Sequence, residues 1–157
     1  MITDKQEAYV IAYPQAEQFA ELQEDIFWTA KEIGMDKDLH DLHNNLTEAE
    51  MHGVVTVLKL FTLYETHVGN DYWLDFIRNK FQRPEIQRMA SVFGMFELNV
   101  HAPFYNKINE VLNLNTEEFY NSYVKDKTLR GRMDWLDRQF EGDDMLASLA
   151  VGSIVEG

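Results

Sequence analysis

Residues 84–112 read PEIQRMASVFGMFELNVHAPFYNKINEVL. Proline opens the stretch, at a first-turn position where its missing N–H costs a helix nothing. Ile86, Ala90, Phe93, Glu97, Val100, His101, Phe104 and Ile108 then recur at spacings of three and four, so they share one face of a helix. The period predicts a long helix from Pro84 to about Leu112. It also sets a carboxylate and an imidazole one turn apart inside an apolar stripe. A buried carboxylate is costly unless a cation, a donor or a metal meets it.

Working upstream, Thr47-Glu48-Ala49-Glu50 reads as a capping box. The helix it starts is expected to reach about Val68 and to end near Gly69-Asn70. Its stripe is Val54, Leu58, Phe61, Thr62 and Glu65. Asp71 to Lys80 reads as a separate shorter helix carrying Trp73, Leu74 and Ile77. A first helix is expected over Ala16 to Ile33, with Phe19, Leu22, Ile26 and Ala30 in step, and Asp36 to Asn45 as a loop.

Downstream, Asn115 to Glu118 offers a cap-like start for a short helix bearing Phe119, Tyr120 and Tyr123. Thr128 to Phe140 is amphipathic and charged. Asp143-Asp144 reads as an N-cap and dipole pair for a last apolar helix, Met145 to Glu156. On that helix Met145, Leu149, Gly152 and Glu156 share a face.

Only 3 prolines and 8 glycines punctuate the 157 residues, and no strand-like alternation persists. The pattern predicts an all-α chain, residues 1–157 forming one domain. Acidic residues number 27 against 14 Lys plus Arg, a formal charge of -13 that repels a phosphate backbone, so no nucleic-acid partner is expected. Cysteine is absent, which excludes disulfides, thiolate metal sites and cysteine nucleophiles. MITDKQEAYV lacks the basic-then-apolar order of a signal peptide, and no run of apolar residues is long enough to span a membrane. The expected location is the cytoplasm.

Glu65, Glu97 with His101, and Glu156 place inward-facing carboxylates on three helices, one of which adds an imidazole. This is the pattern of di-iron and di-manganese carboxylate bundles. Such metals favour carboxylate and imidazole ligands, and carboxylates offset the charge of two ions. Each feature alone has a plainer reading. A Glu–His pair at this spacing suits a structural pair. Glu65 could end a helix in solvent, and Glu156 beside Gly157 could be a frayed, glycine-capped terminus. Their joint placement favours metal.

Phe27-Trp28, the run Leu58-Lys59-Leu60-Phe61-Thr62-Leu63-Tyr64-Glu65, and His101-Ala102-Pro103-Phe104-Tyr105 occur in order. With the order of elements from Tyr13 to Gly157, they resemble the N-terminal half of the radical-generating small (beta, R2) subunit of class I ribonucleotide reductase, in a spelling like that of phage or viral members. The resemblance implies a ferritin-like helical bundle and two iron ions, or manganese or mixed metals. It implies Glu65, Glu97, His101 and Glu156 as ligands, Tyr105 as the radical tyrosine, and Trp28 on the electron-transfer route. The partners it implies are a complementary C-terminal half, a second small subunit in a dimer, and the reductase large subunit, in the cytoplasm of the cell or of a phage host.

The family spells its ligand pair Glu-x-x-His, whereas Glu97 and His101 are one residue further apart. Pro103 cannot donate to the carbonyl of Asn99, so a local distortion of the helix is expected there. The chain stops after Glu156-Gly157, and the resemblance then implies that a later ligand helix and the docking tail lie on the complementary half. The last helix, apolar on several faces, is expected to be buried against that half. Two rival readings are an acidic non-enzymatic interaction protein, such as a DNA mimic or inhibitor, and a metal-storage bundle.

Overall fold

The computed structural model describes residues 1–142 and 144–156, the side chain of Glu156 excepted. The helices are α1 (Pro14–Asp25), α2 (Asp38–Asn44), α3 (Glu48–His67), α4 (Arg78–Lys80), α5 (Pro84–Phe96), α6 (Ala102–Val111), α7 (Glu117–Asn121), α8 (Lys127–Phe140) and α9 (Met145–Glu156). A π-helical segment, Val68–Ile77, joins α3 to α4, and a second one, Glu97–His101, joins α5 to α6. Ser122–Val124 form a 3₁₀ turn. The described residues contain no strand, as the sequence period predicts. The chain divides into two compact units, residues 1–28 with 65–101, and residues 29–64 with 102–157.

In the first unit α1 packs on α5. The contact is made by small residues: Ala16, Ala20 and Ala90 are buried. Two expectations fail here. The first helix stops at Asp25 rather than Ile33, and its large stripe faces out, with Phe19 54%, Leu22 60% and Ile26 64% exposed. The alanine face permits the closer helix approach. After Phe27, Glu32 accepts both the N–H and the hydroxyl of Thr29 at 2.9 Å, which makes a turn in place of the expected continuation. Arg88 on α5 forks across to Glu17 and Glu24 of α1.

Glu85, at the start of α5, is fully buried. Its Oε1 accepts from Arg83 Nε at 2.8 Å and from the backbone N–H of Ala12 at 3.1 Å and Tyr13 at 3.3 Å. Arg83 also donates to the carbonyl of Val10 at 3.1 Å. The pair therefore straps the N-terminal arm onto α5. Burial pushes the Glu85 carboxyl up, but its bonds from Arg83 and the two amides outweigh that and hold it below the usual range. A carboxylate depressed by folding contributes stability above its unfolded pKa and loses it as pH falls through the folded value. Glu85→Ala, which strands Arg83, is expected to cost about 3–5 kcal/mol. Urea denaturation at neutral pH measures the cost, and the gap from the parent should narrow as the solution is acidified. A cost under about 1 kcal/mol would show that the strap is incidental.

The second unit has a core of Leu42, Leu58, Leu112 and Phe119, onto which Leu39, Met51, Val55, Tyr105, Ile108 and Tyr120 pack. Leu39 and Leu42 explain why the segment Asp36 to Asn45 is not the expected loop: those two apolar positions draw α2 into helical form. The capping box stands as read. Thr47 N–H donates to Glu50 Oε2 at 2.8 Å, and Glu50 N–H to Thr47 Oγ1 at 3.3 Å. Leu58 is buried, while Val54 and Phe61 of the same stripe are about two-fifths exposed, at 41% and 39%.

α6 ends where expected, for a reason that periodicity does not supply. Asn113 adopts the left-handed conformation, φ 57°. Leu114 N–H then reaches the Asn109 carbonyl at 2.7 Å, and Asn113 N–H that of Glu110 at 3.1 Å, which is the Schellman closure. Thr116 caps α7 by accepting from Phe119 N–H at 3.1 Å. Asp144 caps α9, accepting from Leu146 and Ala147 N–H at 3.1 Å. Asp143 and Gly157 lie outside the described residues. On α9, Ser148 and Val151 are buried while Leu146 and Ile154 stand 72% and 78% exposed.

Candidate metal centre

The helical backbone runs from Glu48 through Lys80 without the break expected at Gly69-Asn70. Gly69 serves packing instead of termination. A Cβ there would meet Leu98 Cγ at 2.8 Å and Glu97 Cβ at 2.9 Å. Gly94 is its counterpart on α5, where a Cβ would meet Leu74 Cγ at 2.7 Å and the Gly69 carbonyl at 3.3 Å. Two glycines thus let two backbones approach more closely than any other residue permits. Periodicity does not reveal this role, since Gly69-Asn70 carries the local signature of a helix end.

The second device is the π-turn at Glu97–His101. A π-turn closes i→i+5 and so carries about one more residue per turn than an α-turn. It absorbs the extra residue of Glu97-Leu98-Asn99-Val100-His101 and keeps both side chains on one face. This is the distortion that Pro103 and the spacing predict.

Glu65, Glu97 and His101 come together. His101 Nδ1 lies 3.0 Å from Glu97 Oε2 and 3.4 Å from Glu65 Oε2. One ligand atom from each residue lies within 4.8 Å of the other two. Both glutamates are buried, and His101 is partly so. Trp28 stands beside the imidazole, ring centroids 6.0 Å apart and tilted by 33°. Phe96 meets His101 edge-on at 6.4 Å, and Phe27 meets Phe96 at 5.4 Å. Phe96, buried, walls the apolar side of the imidazole, and the partly exposed Phe27 packs behind it.

The electrostatics follow from burial. Desolvation, reinforced by the neighbouring Glu65 charge, pushes Glu97 up to about 8, with His101 opposing. Bonds to both carboxylates raise His101 to about 10, against its own burial. Burial also acts upward on Glu65, but the bonds from His101 and Glu97 hold it below the usual range. Burial and the shared bonds thus favour protons on Glu97 and His101, and a cation bound there would displace them, since metal ligands must shed protons to bind.

The donor set fits a hard transition metal: two carboxylates, one imidazole, no sulfur. Three donors leave coordination positions open. On an acidic decoy the carboxylates would spread over solvent, whereas Glu65, Glu85 and Glu97 are all buried. α9 extends to Glu156, whose side chain is not among those described. Tyr105 is in the second unit, half-buried, its ring stacked on Phe61 at 5.1 Å and 17°.

The sequence profile of the family described as "Ribonucleotide reductase, small chain" matches residues 6–157. The chain is 31% identical over 124 residues to a protein of Invertebrate iridescent virus 3 named as a probable ribonucleoside-diphosphate reductase small subunit. That match covers 79% of this chain and 32% of the viral one. It is 27% identical over 139 residues to the ribonucleoside-diphosphate reductase small chain of Schizosaccharomyces pombe, covering 87% of this chain and 35% of the yeast one. Against a ribonucleoside-diphosphate reductase small chain of Arabidopsis thaliana it is 24% identical over 156 residues, covering 95% of this chain and 45% of the plant one. The chain thus spans about a third to a half of the length of these relatives.

Proposed function

This chain belongs to the ribonucleotide reductase small-chain family, and from that premise we propose that it forms the ligand-bearing N-terminal part of a radical-generating small subunit. The ferritin-like helical bundle is the fold of that family, and the described residues form helices and no strand, consistent with it. The observation that carries the reading is the meeting of Glu65, Glu97 and His101 within 4.8 Å in a buried, sulfur-free cluster.

Glu65, Glu97, His101 and Glu156 are the proposed ligands of a dinuclear site for iron, or for manganese or a mixed pair. Two such ions, when bound, supply the oxidising power, with O₂ as oxidant, that removes an electron and a proton from a tyrosine. Tyr105 is the proposed donor, four residues beyond His101. Trp28, in contact with the His101 ring, is the proposed relay for an electron on its way to or from the large subunit. The carboxylates offset the charge of the ions, and the buried Phe96 shields the flank of His101 that it covers.

Three or four ligands do not complete two ions. The remaining carboxylate and imidazole are therefore assigned to the rest of the small-subunit fold, whether that part shares a polypeptide with this one or binds it as a complementary half. The assembly proposed is a small-subunit dimer that docks on the reductase large subunit in the cytoplasm. No helix of the described residues is long and apolar enough to cross a membrane.

Mixing this chain with the rest of the small subunit, metal, O₂, the large subunit and a dithiol reductant is expected to convert a ribonucleoside diphosphate to its deoxy form, the dithiol supplying the two electrons and the 2′-oxygen leaving as water. Omitting this chain should reduce turnover to background. Equal turnover with and without it would contradict the proposed role.

A further inference from the structure

Asn109, on α6, is fully buried. Its Nδ2 donates to Thr62 Oγ1 at 2.8 Å, and Thr62 Oγ1 donates in turn to the Leu58 carbonyl at 2.7 Å. The roles are fixed: the hydroxyl hydrogen is spent on Leu58, so the hydroxyl oxygen can only accept from the amide. This polar chain ties α6 to α3 inside the apolar core of the second unit. The Asn109 Oδ1 atom is buried with no partner among the described residues. A leucine at 109 would fill the same kind of space without that penalty. Stability is therefore a poor account of the amide, and register is a better one. A lone polar residue in an apolar interface fixes which turn sits against which, as asparagine does in coiled coils.

The register so fixed has a specific neighbour. Tyr105 lies one turn before Asn109 on α6, and Phe61 lies next to Thr62 on α3. Their rings stack at 5.1 Å and 17°. Sliding α6 by one turn, or rotating it, separates that pair. We propose that Asn109 and Thr62 are positioning residues which lock α6 on α3 and thereby hold the Tyr105 ring flat against Phe61 in one side-chain torsion. This rests on the reading of Tyr105 as the oxidised residue. A phenoxyl radical's coupling to its Cβ protons depends on that torsion, so the lock would set the spectroscopic character of the radical.

The test compares the parent with Thr62→Val, which keeps the shape and removes the hydroxyl, and Thr62→Ser, which restores it, in the complete small-subunit assembly. With ¹³C-tyrosine labelling in the metal-free protein, the Tyr105 ring signal is identified by its loss in Tyr105→Phe. The parent and Thr62→Ser should show it displaced upfield by the Phe61 ring, and Thr62→Val should lose that displacement. After metal loading and oxidation, the Cβ-proton splitting in electron paramagnetic resonance should change in Thr62→Val and return in Thr62→Ser. An unshifted Tyr105 signal in folded Thr62→Val, one that stays where the parent has it, overturns the proposal. If Thr62→Val fails to fold, the doubly apolar Thr62→Val, Asn109→Leu variant replaces it. A parent-like Tyr105 signal in that variant overturns the proposal equally. Absence of any tyrosyl radical in the parent would instead count against the functional reading, and the metal-free comparison would still judge the lock.

Discussion

Glu97→Ala and His101→Ala are each expected to abolish stoichiometric uptake of Fe(II) or Mn(II). His101 Nδ1 lies within 3.4 Å of both glutamates, so either change removes a central donor from the cluster. Loss of a direct ligand should weaken binding by more than the roughly 10–100-fold that loss of an outer partner costs. Collapse of the fold is not the expected cause. Burial raises Glu97 to about 8, and its removal still leaves His101 facing Glu65, so no buried charge loses its counter-ion in that variant. Glu97→Gln sharpens the comparison, because it keeps the shape and loses the anionic ligand. Anaerobic isothermal titration of the assembled small subunit checks the result. Parent-like stoichiometry and affinity in both alanine variants would remove the site.

Tyr105→Phe is expected to eliminate the organic radical formed on O₂ exposure while metal content stays at the parent level. The change deletes one oxygen, the group that yields a proton and an electron, and the phenyl ring retains the aromatic surface that stacks on Phe61. Electron paramagnetic resonance beside metal analysis reads both quantities on one sample. A radical of unchanged lineshape in the variant would take Tyr105 out of the chemistry.

The residues that make the centre are legible in the sequence for a simple reason. Glu65, Glu97 and His101 interrupt apolar stripes, and an ionisable group on a buried face needs a partner that sequence spacing can identify. Four element starts are legible as well, because Thr47, Pro84, Thr116 and Asp144 each act through chemistry local to a few residues. The close approach that brings Glu65 to Glu97 is not. Gly69 reads as a stop because its local signature is that of a helix end, and only the partner helix, with Leu98 and Glu97 against it, shows otherwise.

Ten residues of π-helix from Val68 to Ile77 shift the phase of a 3.6-residue period, so a reading based on that period divides one helical stretch in two. The exposed Phe19, Leu22 and Ile26 mislead in another way. Amphipathicity identifies an apolar face, and here the alanine face wins the contact with α5. The burial of Glu85 gives no signal in the sequence because, beside the neighbouring Arg83, its partners are backbone amides 72 and 73 residues away along the chain.

The central claim is that Glu65, Glu97 and His101 hold a metal, and the most direct measurement is the position of that metal. Diffraction from crystals of the metal-loaded assembly, collected on both sides of the iron or manganese absorption edge, should show an anomalous peak at bonding distance from His101 Nδ1 and from carboxylate oxygens of Glu97 and Glu65. Full metal loading with the peaks elsewhere, and with His101 still hydrogen-bonded to the two glutamates, would contradict the claim.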